Sequence, residues 1–445
     1  MTLSNIALFK RNMTTALVLS FFIVLNAEGF VPKVKFDGYI IKMKKGHGFM
    51  AINNFQGMGK VTNLGLSFGD YFHLDTANSF ATLNTTAIKN NPDVEYIEPN
   101  YLYDDLDGSD DDFQEDHLSE VIQDPTFDSQ WALQNTGHNT WIKDSPPGID
   151  INALKGWEIS QGSLDVIIAI VDSGMDYNHP DLQKNIWVNE AEKNGLPGFD
   201  DDGNGFIDDI HGYDFANNDG DPMDALGHGT HVAGIIGASH NAEGIRGVMP
   251  NVKIMALKFL TDEGPGDTKN AVRAINYAIE SGAKIINNSW GGGSYSQTMF
   301  DAFMAAAAKN IIITAAAGNN KNDNDLNPRY PANYKVPNLI TVAASNAMDE
   351  KASFSSFGKN SVDVYAPGVL IVSTDLESNY QWRSGSSMAT PLVTGALGLL
   401  LSMEPEIGFA EAKKRIMETS NKNPELLKYA RAGRIDIYRM LMNKN

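Results

Sequence analysis

Six runs of apolar residues, without the polar alternation of a half-exposed strand, set the strongest limit on the fold of this chain. They lie at 165–172, 253–260, 284–290, 311–318, 339–345 and 362–368. Segments with a helical pattern lie at 228–240, 268–281, 297–309, 388–402 and 409–420. Continuous apolar strands that are separated by helices are typical of a parallel sheet covered on both faces. We therefore predict an α/β fold, a three-layer sandwich with a mainly parallel sheet between helices, over residues 124–445.

Two further segments precede this large domain. Residues 30–103 contain two strand-like stretches, 37–45 and 93–103, around a short helical stretch, and Pro99 is expected to end the second strand. This pattern predicts a small α+β domain. Residues 104–123 are strongly acidic and contain no lysine or arginine, which is typical of a solvated linker.

The first 29 residues have the order of a secretory signal: Lys10 and Arg11, then an apolar run at 16–25, then small residues. The run is short for a membrane span, so a cleaved signal (1–29) is favoured over an uncleaved anchor. After cleavage we expect a soluble protein without membrane contact, exported to the periplasm or the extracellular medium. The chain has no cysteine, so no disulfide can stabilise it there, and bound calcium is an alternative.

The charge balance limits the partners of the protein. Its 445 residues include 35 basic and 55 acidic side chains, which gives a net charge of −20. Nucleic acids and anionic membrane surfaces are therefore poor candidates. Either the needs of solubility or carboxylates that hold a cation can account for the acidity.

Three polar side chains lie in glycine-rich turns at strand ends or helix starts of the large domain. Asp172 ends the first apolar strand, His228 opens a helix rich in small residues, and Ser387 lies where a serine-rich turn meets the next helix. Each alone is more often a turn or capping residue. Together they supply a nucleophile, a base for its proton and a carboxylate that fixes the tautomer of the base. Pro391 is expected in the first turn of the serine's helix, where amides have no intrahelical partner.

His231, three residues after His228, offers a competing interpretation as half of a zinc-binding pair. The glutamate of a helical zinc motif is missing, and no third histidine or cysteine ligand is evident. The set of carboxylate, imidazole and hydroxyl is therefore favoured over a metal.

The segments around these three residues resemble the active-site motifs of the subtilisin family. They are 170-IVDSGMDYNHPDL-182, 227-GHGTHVAG-234 and 385-GSSMATPLVTGA-396, in the order of the family. The resemblance covers residues 124–445. It implies a serine endopeptidase that cleaves peptide or protein substrates, with Ser387 as nucleophile, His228 as general base and Asp172 as the partner of His228.

Further site residues follow from the same resemblance. The stretch 315-AAAGNN-320 matches the oxyanion-hole motif of the family, which makes Asn319 the side-chain amide donor. Two strand edges in such proteases hold an extended substrate, since backbone pairing gives affinity and side-chain pockets give preference. The residues that match these edges are Ser289, Trp290, Gly291, Gly264 and Gly266.

The loop 200-DDDGNGFIDD-209 has oxygen side chains at alternate positions before a glycine, as in the first half of a calcium loop. Similar loops occur in calcium-binding relatives of subtilisin. The expected ligands are Asp200, Asp202, Asn204, the carbonyl of Phe206 and Asp209. His211 stands where a bidentate glutamate would complete the loop, so a plain acidic turn stays an alternative.

The 30–103 block resembles the propeptide of these proteases, and its last segment, 96–105, is expected in the cleft as a product-like intramolecular inhibitor. The resemblance thus implies a self-processing zymogen whose mature, monomeric chain starts between Tyr103 and Pro125. A non-catalytic peptide-binding module on the same fold is one rival, and the intact catalytic set argues against it. A processing protease with few natural targets is another, and nothing in the sequence discriminates it.

Overall fold

The computed structural model of this chain describes residues 35–48, 55, 57–76, 85–105, 125–142 and 144–443. The expected signal segment 1–29 lies outside these residues, as does the expected linker beyond Asp105 as far as 123. The described residues form an N-terminal sheet that precedes a large α/β domain.

Seven strands of the described residues form one sheet, in the order β13-β12-β11-β9-β5-β7-β6, and every neighbouring pair runs parallel. Their bounds are β5 (Gly162–Asp172), β6 (Gly212–Asp214), β7 (Asn251–Lys258), β9 (Ile285–Asn288), β11 (Ile312–Ala316), β12 (Leu339–Ser345) and β13 (Val364–Pro367). The strand order changes direction between β5 and β9. In open parallel sheets ligands bind outside the carboxyl ends of the strands at such a point. Asp172 is the last residue of β5.

Helices cover both faces of this sheet. Their bounds in the large domain are α2 (Ala153–Trp157), α3 (Glu190–Lys193), α4 (His228–Gly237), α5 (Thr268–Glu280), α6 (Gln297–Ala308), α7 (Ser386–Met403), α8 (Phe409–Thr419) and α9 (Ile437–Met442). Successive side chains of a strand point to opposite faces. Ile168 and Ile170 of β5 accordingly pack with α4 and α7, whereas Ala169 and Val171 pack with α5 and α6. The predicted α/β sandwich is confirmed.

The N-terminal sheet consists of β1 (Phe36–Met43), β2 (Lys60–Asn63), β3 (Tyr71–Asp75) and β4 (Val94–Asp105), with helix α1 (Thr85–Lys89) before β4. Their order is β4-β1-β3-β2, and all three pairs run antiparallel. Beyond this sheet, β4 pairs with two short strands of the large domain, β8 (Gly266–Asp267) and β10 (Trp290–Gly291). The long strand β4 therefore pairs both with the N-terminal sheet and with the large domain.

The expected end of β4 at Pro99 is wrong, because the strand continues to Asp105. The pairing of β1 with β4 is irregular between Phe36 and Tyr39, and Tyr39 is the partner of Pro99. Proline is tolerated at such an irregularity because a ladder amide is not needed there. β4 therefore includes Asp104 and Asp105, which are the first two residues of the expected linker.

The expectation for Pro391 is also wrong, because α7 begins at Ser386 and the proline is therefore beyond its first turn. A proline inside a helix leaves the carbonyl four residues earlier without its donor. That carbonyl belongs to Ser387, and the hydroxyl of Ser289 donates to it at 3.0 Å. Because of the proline, the carbonyl of Ser387 can accept from Ser289, and this hydrogen bond links the start of α7 to the residue after β9.

Among the residues that the structure describes, one helix, α7, is long and apolar enough to cross a membrane. Of its apolar window, 89% is buried inside the protein. The strands β14 (Ile371–Thr374) and β15 (Tyr380–Arg383) form a hairpin whose first strand packs against α4. Neither strand of this hairpin was predicted from the sequence.

Candidate active site

Asp172 and His228 form a buried pair at the carboxyl end of β5. The Nδ1 atom of His228 lies 2.7 Å from Oδ1 of Asp172, and both side chains are 0% exposed. The backbone amide of Ser173 also donates to Oδ1 of Asp172, at 2.8 Å. A carboxylate held in this way orients the imidazole and fixes which of its nitrogens carries a proton.

Small residues allow this approach, as the glycine-rich sequence around His228 suggests. The amide of Gly229 donates to the hydroxyl of Ser173 at 2.9 Å. A Cβ atom on Gly229 would lie 2.1 Å from the carbonyl oxygen of Gly174, which no real contact permits. Helix α4 therefore begins directly against the turn that follows Asp172.

Ser387 lies next to the end of β9, the sheet neighbour of β5. Its hydroxyl donates to the carbonyl of Ser289 at 2.8 Å, and the hydroxyl of Ser289 donates back to the carbonyl of Ser387 at 3.0 Å. The indole nitrogen of Trp290 donates to the carbonyl of Val171, one residue before Asp172, at 2.8 Å. Ser387 is fully buried, and α7 packs against α4, which begins at His228.

Asn319 is held by the residue that precedes the expected nucleophile. Its Oδ1 atom accepts hydrogen bonds from the backbone amide and the hydroxyl of Ser386, at 2.9 and 2.8 Å. This arrangement turns the amide nitrogen away from Ser386. Ser384, the other serine of the turn, accepts a hydrogen bond from the amide of Leu370 at 2.9 Å. Ser386 therefore orients Asn319, a task that the sequence motif did not reveal.

His231 does not share a metal site with His228. Its Nε2 atom lies 2.9 Å from the carbonyl of Gln381 in β15, and the ring is fully buried. Burial, with the positive charge of Arg383 as a further cause, lowers the pKa of His231 well below its usual value. Within the described part of the chain, no cluster of potential metal ligands contains either histidine. This histidine is a neutral residue of the core.

The end of β4 lies between two strand edges of the large domain. Tyr103 pairs with Gly266 on one side, and Asp104 pairs with Gly291 on the other. The neighbouring pairs are Leu102 with Asp267 and Asp105 with Trp290. Three of the five residues expected at the substrate edges, Gly266, Trp290 and Gly291, thus hold an extended segment of the same chain.

Ser289 and Gly264, the other two residues expected at these edges, make no strand pair with the described residues of β4. Gly264 lies in a turn in which its amide donates to the carbonyl of Thr261 at 3.0 Å. Its φ of 112° is a backbone conformation that favours glycine. Ser289 lies directly before Trp290 and contacts Ser387, so it joins the edge to the expected nucleophile.

Three carboxylates meet beside the acidic loop. Oxygen atoms of Glu192, Asp202 and Asp209 all lie within 4.8 Å of one another, and Glu192 and Asp209 are buried. No lysine or arginine among the described residues forms an ion pair with any of the three. Burial raises the pKa of Asp209, and the neighbouring charge of Asp202 adds to this, although hydrogen bonds from Tyr277, Asn204 and Asn189 act in the opposite direction. The donor set of oxygens and its uncompensated charge fit a hard divalent cation.

The other expected ligands have different surroundings. The carboxylate of Asp200 lies outside this group and accepts hydrogen bonds from the amides of Asn204 and Gly205, at 3.0 and 2.9 Å. The side chain of Asn204 bridges Asp202 and Asp209, at 3.1 and 2.9 Å. The ring of Phe206 packs against aromatic residues that include Tyr213. Glu192 comes from helix α3, outside the loop, so the spacing of the loop residues does not predict it.

The chain matches a family model described as the subtilase family over residues 163–433. The chain belongs to the subtilase family. It is 36% identical over 353 residues to a thermophilic serine proteinase of Bacillus sp. (strain AK1), covering 79% of this chain and 74% of that protein. It is 37% identical over 290 residues to thermitase of Thermoactinomyces vulgaris, covering 65% of this chain and 92% of thermitase. This subtilase is therefore a serine endopeptidase that acts on peptide substrates.

A solved structure has the same fold. The crystal structure of fervidolysin from Fervidobacterium pennivorans, a keratinolytic enzyme related to subtilisin, superimposes with a TM-score of 0.70 at 24% identity. The match covers 94% of this subtilase and 62% of fervidolysin, so the chain spans less than two thirds of that protein. At this identity the likeness concerns the fold alone.

Proposed function

We propose that this subtilase cleaves peptide bonds with Ser387 as nucleophile, His228 as general base and Asp172 as the group that orients His228. The observation that carries this proposal is the buried 2.7 Å contact between Asp172 and His228, at the sheet edge where Ser387 also lies. A serine hydroxyl is a weak nucleophile until a base removes its proton.

The reaction proceeds in two stages. The Oγ atom of Ser387 attacks the substrate carbonyl carbon while its proton passes to His228, and Asp172 stabilises the resulting imidazolium. His228 then gives this proton to the leaving amine as the carbon–nitrogen bond breaks. A water molecule, deprotonated by His228, hydrolyses the acyl-enzyme and restores the hydroxyl. In both stages the amide nitrogen of Asn319 is the proposed donor to the oxyanion, since Ser386 holds its oxygen on the other side.

We infer that the chain is made as a zymogen in which residues 30–103 act as a propeptide and inhibitor. The support is β4, which occupies both strand edges that a substrate would use. The last five residues of β4 (101–105) form its tail, and Glu98 and Asn100 lie just before them. Glu98 accepts a hydrogen bond from the amide of Gln297 at the start of α6, and Asn100 accepts one from the amide of Lys269 at the start of α5. An anion at a helix N-terminus is favourable because the free amides and the helix dipole point at it. The N-terminal sheet thus holds its tail in the cleft.

Asp301 makes a second polar contact between α6 and the N-terminal sheet. Its Oδ2 atom accepts hydrogen bonds from Tyr71, Lys42 and Tyr96, at 2.7, 2.9 and 3.1 Å. Burial alone raises the pKa of Asp301, but the bonds from Tyr71 and Lys42 outweigh burial and leave this pKa below its usual value. Three donors on one carboxylate give an orientation-specific attachment, as an inhibitor domain requires.

Calcium is the cation that we propose for the acidic group. Glu192, Asp202 and Asp209 would hold it. The side-chain nitrogen of Asn204 donates to Asp202 and Asp209, whereas its oxygen accepts from the amide of Phe206 at 2.7 Å. The bound ion would neutralise the two buried carboxylates and tie α3 to the loop 200–209. In a chain without disulfides, such a link stabilises the folded state because the unfolded chain has no preformed site.

Export follows from the sequence of residues 1–29, and the absence of cysteine agrees with a protein that is stabilised by a cation. The direct test of the catalytic proposal is hydrolysis of an unstructured protein substrate by the wild type and by Ser387→Ala. Wild-type hydrolysis that is lost in the variant supports it. Equal hydrolysis by both proteins refutes the role of Ser387, and substrate binding without any hydrolysis favours the peptide-binding module.

A further inference from the structure

A row of buried polar side chains lies behind Ser387, where helix α7 packs on strands β9 and β11. Its members are Thr314 of β11, Asn287 of β9, Thr394 of α7 and Ser289, and each is 0% exposed. Buried polar groups weaken a fold unless they bond to one another, and apolar residues of similar size would pack here without that cost. We call these four residues the polar row.

The polar row is a continuous chain of hydrogen bonds from the core to the expected nucleophile. The hydroxyl oxygens of Thr314 and Thr394 lie 2.7 Å apart, and Thr394 donates to Oδ1 of Asn287 at 2.7 Å. The Nδ2 atom of Asn287 donates to the hydroxyl of Ser289 at 2.9 Å, and this hydroxyl donates to the carbonyl of Ser387 at 3.0 Å. Because Thr394 lies about two turns after Ser387 on α7, the row joins two points of one helix through β9.

Each hydroxyl has one proton to donate, so the bonds can run in one of two directions. In the observed direction the proton of Ser289 reaches the carbonyl of Ser387, which a proline deprives of its helix donor. If the amide of Asn287 turned over, Thr394 would donate to the carbonyl of Thr390, which lies at 3.1 Å, and Ser289 would donate to Asn287. The buried carbonyl of Ser387 would then lose the donation from Ser289. The shorter bond, 2.7 Å from Thr394 to Asn287, agrees with the first direction.

Ser289 holds the residue of the nucleophile at two atoms. Its hydroxyl donates to the carbonyl of Ser387, and its own carbonyl accepts from the hydroxyl of Ser387 at 2.8 Å. In the proposed reaction the hydroxyl of Ser387 leaves this carbonyl and turns to His228, so the bond to the carbonyl of Ser387 is the one that keeps the residue in place. Displacement of a reacting atom by about 1 Å can lower a rate about 100-fold.

We propose that Thr394 and Asn287 are positioning residues of this endopeptidase, which fix the place of Ser387 through the hydroxyl of Ser289. This inference rests on the proposed function, in which Ser387 is the nucleophile. Thr394 sets the orientation of the Asn287 amide, and the amide directs the proton of Ser289. Ser289 then holds the first turn of α7 against the end of β9.

The main test compares Thr394→Val with Thr394→Ser in the matured enzyme. Valine keeps the shape of threonine but has no hydroxyl, so we expect kcat for a peptide substrate to fall about 10- to 100-fold. KM should stay within about twofold of the wild type, because the paired strand edges are not part of the polar row. A sulfonyl fluoride, which modifies a nucleophilic serine, should react more slowly by the same factor. Thr394→Ser keeps the hydroxyl and should restore both rates to within about threefold of the wild type.

A double variant tests whether Thr394 acts through Ser289. Ser289→Ala removes the last bond of the row, and we expect it to lower kcat by a similar factor. In the Ser289→Ala background, Thr394→Val should change kcat by less than about threefold, because residues that act as one chain have non-additive effects. Ser402→Ala is the matched control, since its hydroxyl lies at the other end of α7 and donates to the carbonyl of Leu399 at 2.7 Å. This variant should keep the wild-type rate.

The Tm of each variant separates positioning from a loss of stability. A purely structural role lowers Tm while the kcat of the folded protein keeps its wild-type value, and that result would overturn the inference. A Thr394→Ser variant as slow as Thr394→Val, or a full further loss in the Ser289→Ala background, would overturn it as well. Should Thr394→Val fail to fold, Ser289→Ala decides alone: a lower kcat at an unchanged KM supports the inference, and a wild-type kcat refutes it. A wild type that neither cleaves the peptide nor reacts with the sulfonyl fluoride refutes the proposed function, and this inference with it.

Discussion

The Nδ1 atom of His228 lies 2.7 Å from the carboxylate of Asp172, and neither side chain is exposed to solvent. A buried imidazole beside a carboxylate has its tautomer fixed, so its other nitrogen can act as a base. Asp172→Asn keeps the shape but allows the wrong tautomer. We expect kcat/KM of the matured enzyme to fall by about 10⁴. The exposed Asp165 at the start of β5 is the control, and Asp165→Asn should leave the rate unchanged.

Glu98 lies where three residues of the α6 N-terminus can donate to its carboxylate. The amides of Gln297 and Thr298 donate at 2.7 and 2.9 Å, and the hydroxyl of Ser296 donates at 2.8 Å. Glu98→Gln removes the charge from these bonds. We expect the N-terminal segment to bind the enzyme about 10- to 100-fold more weakly, which shortens the lag before activity.

Glu95 is the matched control for Glu98. It lies on the same strand, but its side chain is 48% exposed and its only ion pair within the described chain joins it to Lys42 at 3.2 Å. Exposed ion pairs contribute little to stability. Glu95→Gln should therefore leave the lag within about twofold of the wild type. Equal lags for Glu98→Gln and Glu95→Gln would contradict the role of Glu98.

Calcium removal should destabilise the matured enzyme. A cation at about 100 times its Kd adds about 2.7 kcal/mol to the free energy of unfolding, so a chelator should lower Tm by several degrees. Glu192→Gln should reduce this dependence on calcium, because it removes one of the two buried carboxylates. The exposed Glu158 serves as control, and Glu158→Gln should respond to the chelator like the wild type. A Tm that does not depend on calcium would contradict the proposed site and favour the alternative, a plain acidic turn without a bound ion.

His73 of β3 should make the N-terminal segment less stable in acid. Burial, and next the positive charge of Lys269, lower the pKa of His73 in the folded protein, while Asp37 and Asp267 act in the opposite direction. A histidine with a lowered folded pKa binds fewer protons than in the unfolded chain, whose pKa is about 6.5. The stabilising contribution of neutral His73 to the free energy of unfolding is therefore complete above a pH of about 6.5, and it is lost as the pH falls from there towards the pKa of the folded protein.

This dependence can be measured on the full chain with Ser387→Ala, which keeps the N-terminal segment attached. We expect its Tm to fall between pH 7.5 and pH 5.5, and His73→Gln to reduce that fall. His47 is the control, since its side chain is 49% exposed and contacts Asp93. His47→Gln should keep the full fall. The same pH dependence in the parent and in His73→Gln would show that other groups cause it.

Much of the large domain was predictable, because strands buried on both faces read as unbroken apolar runs and their helices carry clear patterns. The hairpin of β14 and β15 was not, since its two strands of four residues have little pattern of their own and depend on contacts with α4. β4 was predicted too short because its last residues pair with distant edges that no local pattern shows.

The residues of the candidate site also divide into those that were predictable from the sequence and those that were not. Asp172, His228 and Ser387 lie in long motifs and were found from the sequence. Glu192 was missed because it reaches the acidic loop only through the folding of α3. Ser386 lies in one of these motifs, but only the structure shows its two hydrogen bonds to Asn319. Contacts between segments that are distant in sequence account for each of these omissions.

In the proposed function, Ser387 cuts this chain free of its own inhibitor segment. Trp290 pairs with Asp105, and Ser289, which accepts from the hydroxyl of Ser387, comes one residue earlier in the chain. The antiparallel register therefore predicts a cut one residue beyond Asp105. The intact masses of the wild type and of Ser387→Ala in calcium buffer show whether Ser387 makes this cut. We expect the wild type to lose the segment up to residue 106 and the variant to keep it. Identical maturation of both chains would contradict this role of Ser387.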